Sequence, residues 1–231
     1  MKERPIIFGG DGVLSILEGR KTQTRRVVKF PATPKWMQII EHQAMKVAYP
    51  MPMGGWVFWD ADMGQEFSDK VYQNDPDGIR CPYGQPGDRL WCKETWGLYD
   101  TEPKDGPVGA MIFHKATDGE NYELRHQLWR SPIFMPRWAS RITLEITGVR
   151  VERLQDITPI DCEAEGIFLP LLENPTVDEA LHYLAAYNHA YEKLWDSINA
   201  KRGYGWETNC WVWVIGFKKL ETAPRTDVLN Y

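Results

Sequence analysis

Segments with strand character are scattered along this chain between a few short helical ones, and strands and helices do not alternate regularly. That order argues against a doubly wound parallel sheet, which needs a helix after nearly every strand. A mixed β-barrel with flanking α-helices, of α+β content, accommodates it. The longest strand-like run is 138–154, with apolar alternation at Ile142, Leu144 and Ile146. A second, 211–220, lies near the end of the chain. Shorter ones are Pro5–Phe8, which stops at Gly9-Gly10, and Arg89–Thr95, which follows the turn-forming 81–88.

Helix signals fill the gaps. Asp11 is a candidate cap for a helix carrying Val13, Leu14, Ile16 and Leu17, which ends at Gly19. Thr158 followed by Pro159 opens a second helix over 156–165. A third covers 178–199, with Ala180, Leu181, Leu184, Tyr187, Tyr191, Leu194, Trp195 and Ile198 as its apolar positions. Residues 31–55 are rich in Pro, Met and Gly and read as irregular, whereas Trp56–Trp59 and Lys70–Tyr72 suggest a small hairpin. Val108–His114 suits a strand pairing near Arg89–Thr95. The expectation is one domain over 1–231, with excursions at about 31–80 and 97–136.

Composition narrows the function. The net charge of -5 argues against a protein that coats nucleic acid with its whole surface. Against that background the ten residues Arg20–Lys29 contain five cations and no acid. Eleven tryptophans offer either core bulk or stacking surfaces; Trp195, Trp211 and Trp213 read as core. Cys81, Cys92, Cys162 and Cys210 form no CxxC pair and the five histidines complete no zinc spacing, so free thiols, no metal and no other cofactor are expected. The first residues have neither the shape of a signal peptide nor the length of a membrane span, which points to the cytoplasm.

Four segments together resemble the ASCH-domain family in its long phage or prophage form: 16–26 (ILEGRKTQTRR), 87–96 (GDRLWCKETW), 135–142 (MPRWASRI) and 210–217 (CWVWVIGF). That family is similar in fold to PUA-type RNA-binding domains. The resemblance implies a PUA-like barrel and a cleft for a nucleobase, nucleoside or RNA. Small bacterial members with the same Gly-Arg-Lys-Thr segment are amidohydrolases of N4-acetylcytidine. Carried over, the catalytic residues are Lys21, Thr24 and Glu165, with Glu163 an alternative for the acid.

The residues themselves make demands on that chemistry. A Thr hydroxyl attacks an amide only when a base removes its proton. Lys21 can be that base only as a free amine, and bringing a lysine from about 10.4 to about 7.4 takes roughly 4 kcal/mol. Cations at Arg20, Arg25 and Arg26 push that way, whereas a carboxylate pushes back. In a straight strand Lys21 and Thr24 point to opposite faces, so their convergence needs a turn or bulge after Gly19. The competing view makes Arg20–Arg26 a basic strand that contacts phosphates. Substrate-binding candidates are Arg20, Arg26, Trp91, Glu94, Trp96, Arg137, Trp138 and Arg141. A Glu beside a Trp can hydrogen-bond a cytosine amino edge while the ring stacks on the base. Core packing of the rings and salt-bridging of Glu94 account for the same pattern. The function expected is metal-independent hydrolysis of an N4-acylated cytidine-type nucleoside or a related modified base. The alternatives are recognition of RNA or a modified base without turnover, and ribonuclease activity. The expected partner is a nucleoside or nucleotide, with RNA as the alternative and no membrane.

Overall fold

The computed structural model describes residues 1–29, 47–50, 56–59, 80–101, 109–120, 128–170 and 176–221. The described strands are β1 (Glu3–Ile7), β2 (Gln23–Val27), β3 (Val47–Pro50), β4 (Trp56–Trp59), β5 (Arg89–Lys93), β6 (Trp96–Thr101), β7 (Gly109–His114), β8 (Thr143–Arg153) and β9 (Trp211–Leu220). The helices are α1 (Gly10–Leu17), the single turn α2 (Lys115–Asp118), α3 (Pro159–Ala164) and α4 (Val177–Asn199), with short 3-10 turns between them. The class is α+β. A mixed five-stranded sheet runs in the order β1-β5-β8-β9-β2, and β3-β4 and β6-β7 are two-stranded ribbons. Among the described residues the sheet order does not close into a barrel.

β1 lies parallel to β5, with Ile6 opposite Cys92, whereas β5 meets β8 and β2 meets β9 in antiparallel register. Alternation along β5 buries Leu90 and Cys92 and leaves Arg89, Trp91 and Lys93 half-buried. β6 and β7 pair from Trp96 opposite His114 to Thr101 opposite Gly109.

The chain falls into two compact units. The first holds Met1–Thr22, Pro86–Thr147 and Phe217–Tyr231; the second holds Gln23–Gln85 and Gly148–Gly216. In the first, Ile6, Phe8, Val13, Ile16, Leu90, Ile142, Leu144 and Ile146 are buried, and Trp96, Met135 and Ala139 make a further cluster. The core of the second joins Leu154, Ile157 and Cys162 to Tyr187, Tyr191 and Trp195 of α4 and Val212 and Val214 of β9.

Local chemistry sets the helix ends. α1 has Gly9 at its N-cap with no side-chain cap, so Asp11 sits inside the first turn instead of capping it. It ends in a Schellman arrangement: Gly19 takes a positive φ of 78°, its N–H donates to the Ile16 carbonyl, and those of Arg20 and Lys21 donate to the Ser15 carbonyl. α3 begins as its sequence demands, with Pro159 in the first turn and a capping box between Thr158 and Asp161. Thr158→Ala is expected to cost about 0.5–2 kcal/mol, read as a lower urea midpoint at unchanged slope.

Two further expectations need correction. Residues 47–50, inside the stretch read as irregular, are a strand and supply the partner of Trp56–Trp59; Lys70–Tyr72 lies outside the described residues. The start of the long run, 138–139, belongs to the 3-10 turn Arg137–Ala139, and the strand proper starts at Thr143.

Candidate functional site

In β2, Gln23, Thr24 and Arg25 are buried and Arg26 and Val27 half-buried. Arg25 is the centre of a charge network. Its side chain is 0% exposed, and its Nη2 lies 3.0 Å from Glu152 Oε2 on β8 and 3.2 Å from Asp161 Oδ2 on α3. Its Nη1 lies 3.5 Å from Oε1 of Glu165, the residue that caps α3. Arg150 pairs with both Glu152 and Asp161. Gln23 completes the ring by donating to Asp161 and accepting from Arg150, each at 3.1 Å. Tyr191 of α4 presents its ring 6.0 Å from the Arg25 guanidinium.

Burial pushes the Asp161 carboxyl up, but hydrogen bonds from Gln23 and Thr158 and the Arg25 charge outweigh it and hold the group well below the usual carboxylate range. Burial raises the neighbouring Cys162 thiol to about 12, against the opposing pull of Arg25, which leaves it protonated and inert as a nucleophile. Burial, the Tyr183 hydroxyl and Glu163 push the Tyr187 phenol up.

The two candidate acids on α3 have different neighbours. Glu163 accepts a 2.7 Å hydrogen bond from the Tyr187 hydroxyl and so ties α3 to α4. Glu165 is the acid that meets Arg25 of β2.

Lys21, Thr24 and Glu165 are all withdrawn from water, at 7%, 4% and 6% exposure. Lys21 belongs to the first unit, just past the α1 cap, and Thr24 and Glu165 belong to the second. Arg20 is exposed and pairs with Glu18. Arg26 is half-buried, with its guanidinium 6.0 Å from the Tyr83 ring.

In the first unit the structure gathers four of the substrate-binding candidates. Glu94, with its side chain 2% exposed, receives a fork from Arg141 at 3.0 and 2.9 Å. Arg141 also donates to Thr117 on α2. Trp96 meets Trp138 edge-on at 5.9 Å and carries Arg130 over its ring at 5.1 Å. The Trp96 indole N–H is buried with no acceptor among the described residues. Trp91 and Arg137 form their own cluster: Arg137 and Lys93 stand over the Trp91 ring at 5.9 and 5.4 Å, and Arg137 forks onto Glu3 and reaches Thr143.

His114, opposite Trp96 on β7, is a member of the first group that residue pattern alone did not single out. Its Nε2 lies 3.1 Å from the Ala139 carbonyl. Burial lowers its pKa from 6.5, with Glu94 opposing and Arg141 reinforcing the shift. The folded protein therefore favours neutral His114, so this contribution to stability is whole above pH 6.5 and is lost as pH falls below it. Urea midpoints are expected to fall from pH 7.5 to pH 5, and His114→Gln to flatten that slope; equal slopes in both proteins would remove this assignment.

Among the described residues no group of three His, Cys, Asp or Glu is placed to hold a metal ion, and no helix is long and apolar enough to cross a membrane. No protein-family profile, curated protein or solved structure matches the chain.

Proposed function

We propose that this chain is an ASCH-type, PUA-like amidohydrolase that removes the acyl group from N4 of an acylated cytidine-type nucleoside. The observation that supports the proposal is the burial of three chemically capable polar residues, Lys21, Thr24 and Glu165, the residues that the resemblance singles out. Lysine and glutamate are almost never fully buried unless paired, and Glu165 is paired with Arg25. The Arg25 network adds a fixed electrostatic setting for the acid.

In the proposed reaction Lys21, as a neutral amine, takes the Thr24 hydroxyl proton while Oγ bonds to the acyl carbon. The C–N4 bond then breaks, N4 takes the proton from the Lys21 ammonium, and the nucleoside leaves. Water adds to the threonyl ester and gives a proton to Lys21. The C–Oγ bond breaks, Thr24 recovers its proton, and the free carboxylate departs. Glu165 accepts the one surplus proton and passes it to solvent. Intact-protein mass after mixing with N4-acetylcytidine tests the ester. Wild type is expected to gain one acetyl group transiently and Thr24→Ala none. An adduct of the same mass in Thr24→Ala would remove Thr24 as the nucleophile.

A second reading, recognition of a modified base without turnover, is favoured by the grouping of Glu94, Trp96, Trp138 and Arg141. The unanswered Trp96 N–H suits a ligand that offers an acceptor. Under it, cytidine or N4-acetylcytidine shifts the Trp96 indole N–H resonance and no product forms. A resonance unmoved by either compound would discard it.

A further inference from the structure

We propose that Arg25 is a positioning residue that aims the Glu165 carboxylate, an inference that rests on the hydrolase reading above. The guanidinium is divided between two tasks. Its Nη2 sits on Glu152 and Asp161 at 3.0 and 3.2 Å, and both of those acids are gripped a second time by Arg150. Asp161 is further fixed by Gln23 and by the Thr158 cap. That half of Arg25 is clamped between β2, β8 and α3. The other half, Nη1, faces Glu165 alone among the three acids, at the longer distance of 3.5 Å.

Joining β2 to β8 and α3 needs only the Nη2 contacts. The Nη1 contact brings a rigid, buried donor to the Glu165 carboxylate at the end of α3. Thr158 at the other end of α3 and Tyr187 on Glu163 hold the helix itself. Arg25 then constrains where Oε1 of Glu165 stands. An ammonium at this position keeps the charge but lacks the planar fork that serves both sides at once.

The test uses the full-length protein and N4-acetylcytidine. Arg25→Lys, confirmed folded by circular dichroism, is expected to lose about 10²-fold in kcat with KM unchanged, because only the alignment of the acid is disturbed. A folded Arg25→Lys with wild-type kcat would overturn the proposal. A second measurement needs neither turnover nor a tolerant variant at Arg25. In the wild-type protein with 15N-labelled arginine, the Arg25 Nη resonances are expected to move on Glu165→Gln. If they stay in place, Arg25 does not hold Glu165 and the proposal fails. If wild type leaves N4-acetylcytidine intact while the Nη resonances respond, the hydrolase reading fails and the Arg25–Glu165 pairing stands.

Discussion

Arg25→Met is expected to destabilise the protein by about 3–5 kcal/mol, among the largest losses any single substitution here will produce. The side chain is wholly buried and faces Glu152, Asp161 and Glu165. Removing it takes a buried cation from among three carboxylates, of which Arg150 touches two. The cost is therefore that of stranded charge more than of a lost attraction. Adding Glu165→Gln to Arg25→Met is expected to recover part of the loss, because one of the stranded charges is then gone. Urea unfolding of the two single variants and the double variant gives the coupling directly. Strict additivity would mean that Arg25 and Glu165 do not interact.

That network shows where sequence reading stops. Thr158 and Pro159 announce α3 because a cap and an N1 proline act within one turn. The final strand, 211–220, is equally plain from its run of β-branched and aromatic residues. The span of α4 follows from its period, but its buried face does not. Tyr187, Tyr191 and Trp195 are buried, whereas Leu181, Leu184 and Ile198 stand 60%, 46% and 49% exposed. A helical period reports that a face is apolar, not what covers it.

The candidate site divides the same way. Lys21, Thr24 and Glu165 were named from the resemblance, and the structure adds that all three are buried. Arg25 looked like one more cation in a basic run, because its partners lie 127, 136 and 140 residues away in sequence. The Arg150–Glu152 alternation on β8 was the available clue, since residues two apart share a strand face. His114 was missed because nothing local marks it; its neighbours Glu94 and Ala139 come from distant segments.

Lys21→Arg is expected to lower turnover by about 10²–10⁴-fold, as severely as Lys21→Ala. Arginine keeps the charge and the reach, so a role in anchoring phosphate would survive the exchange. It cannot give up its proton at working pH, so a role as base would not. The pair of variants separates catalysis from electrostatic anchoring without knowledge of the best substrate, because only relative rates matter. Both variants must retain the wild-type urea midpoint within experimental error, since Lys21 is buried and its replacement can disturb packing. A Lys21→Arg protein with near-normal turnover would place Lys21 among the anchors.

The most direct test of the hydrolase reading is to incubate the purified protein with a panel of N4-acylated cytidines and follow the mixture by mass spectrometry. The account predicts catalytic conversion of at least one member to the free nucleoside and its carboxylate, with product exceeding enzyme many times over. A panel left intact at high enzyme concentration would contradict it, and release of base or cleavage of the sugar would replace it with a different chemistry.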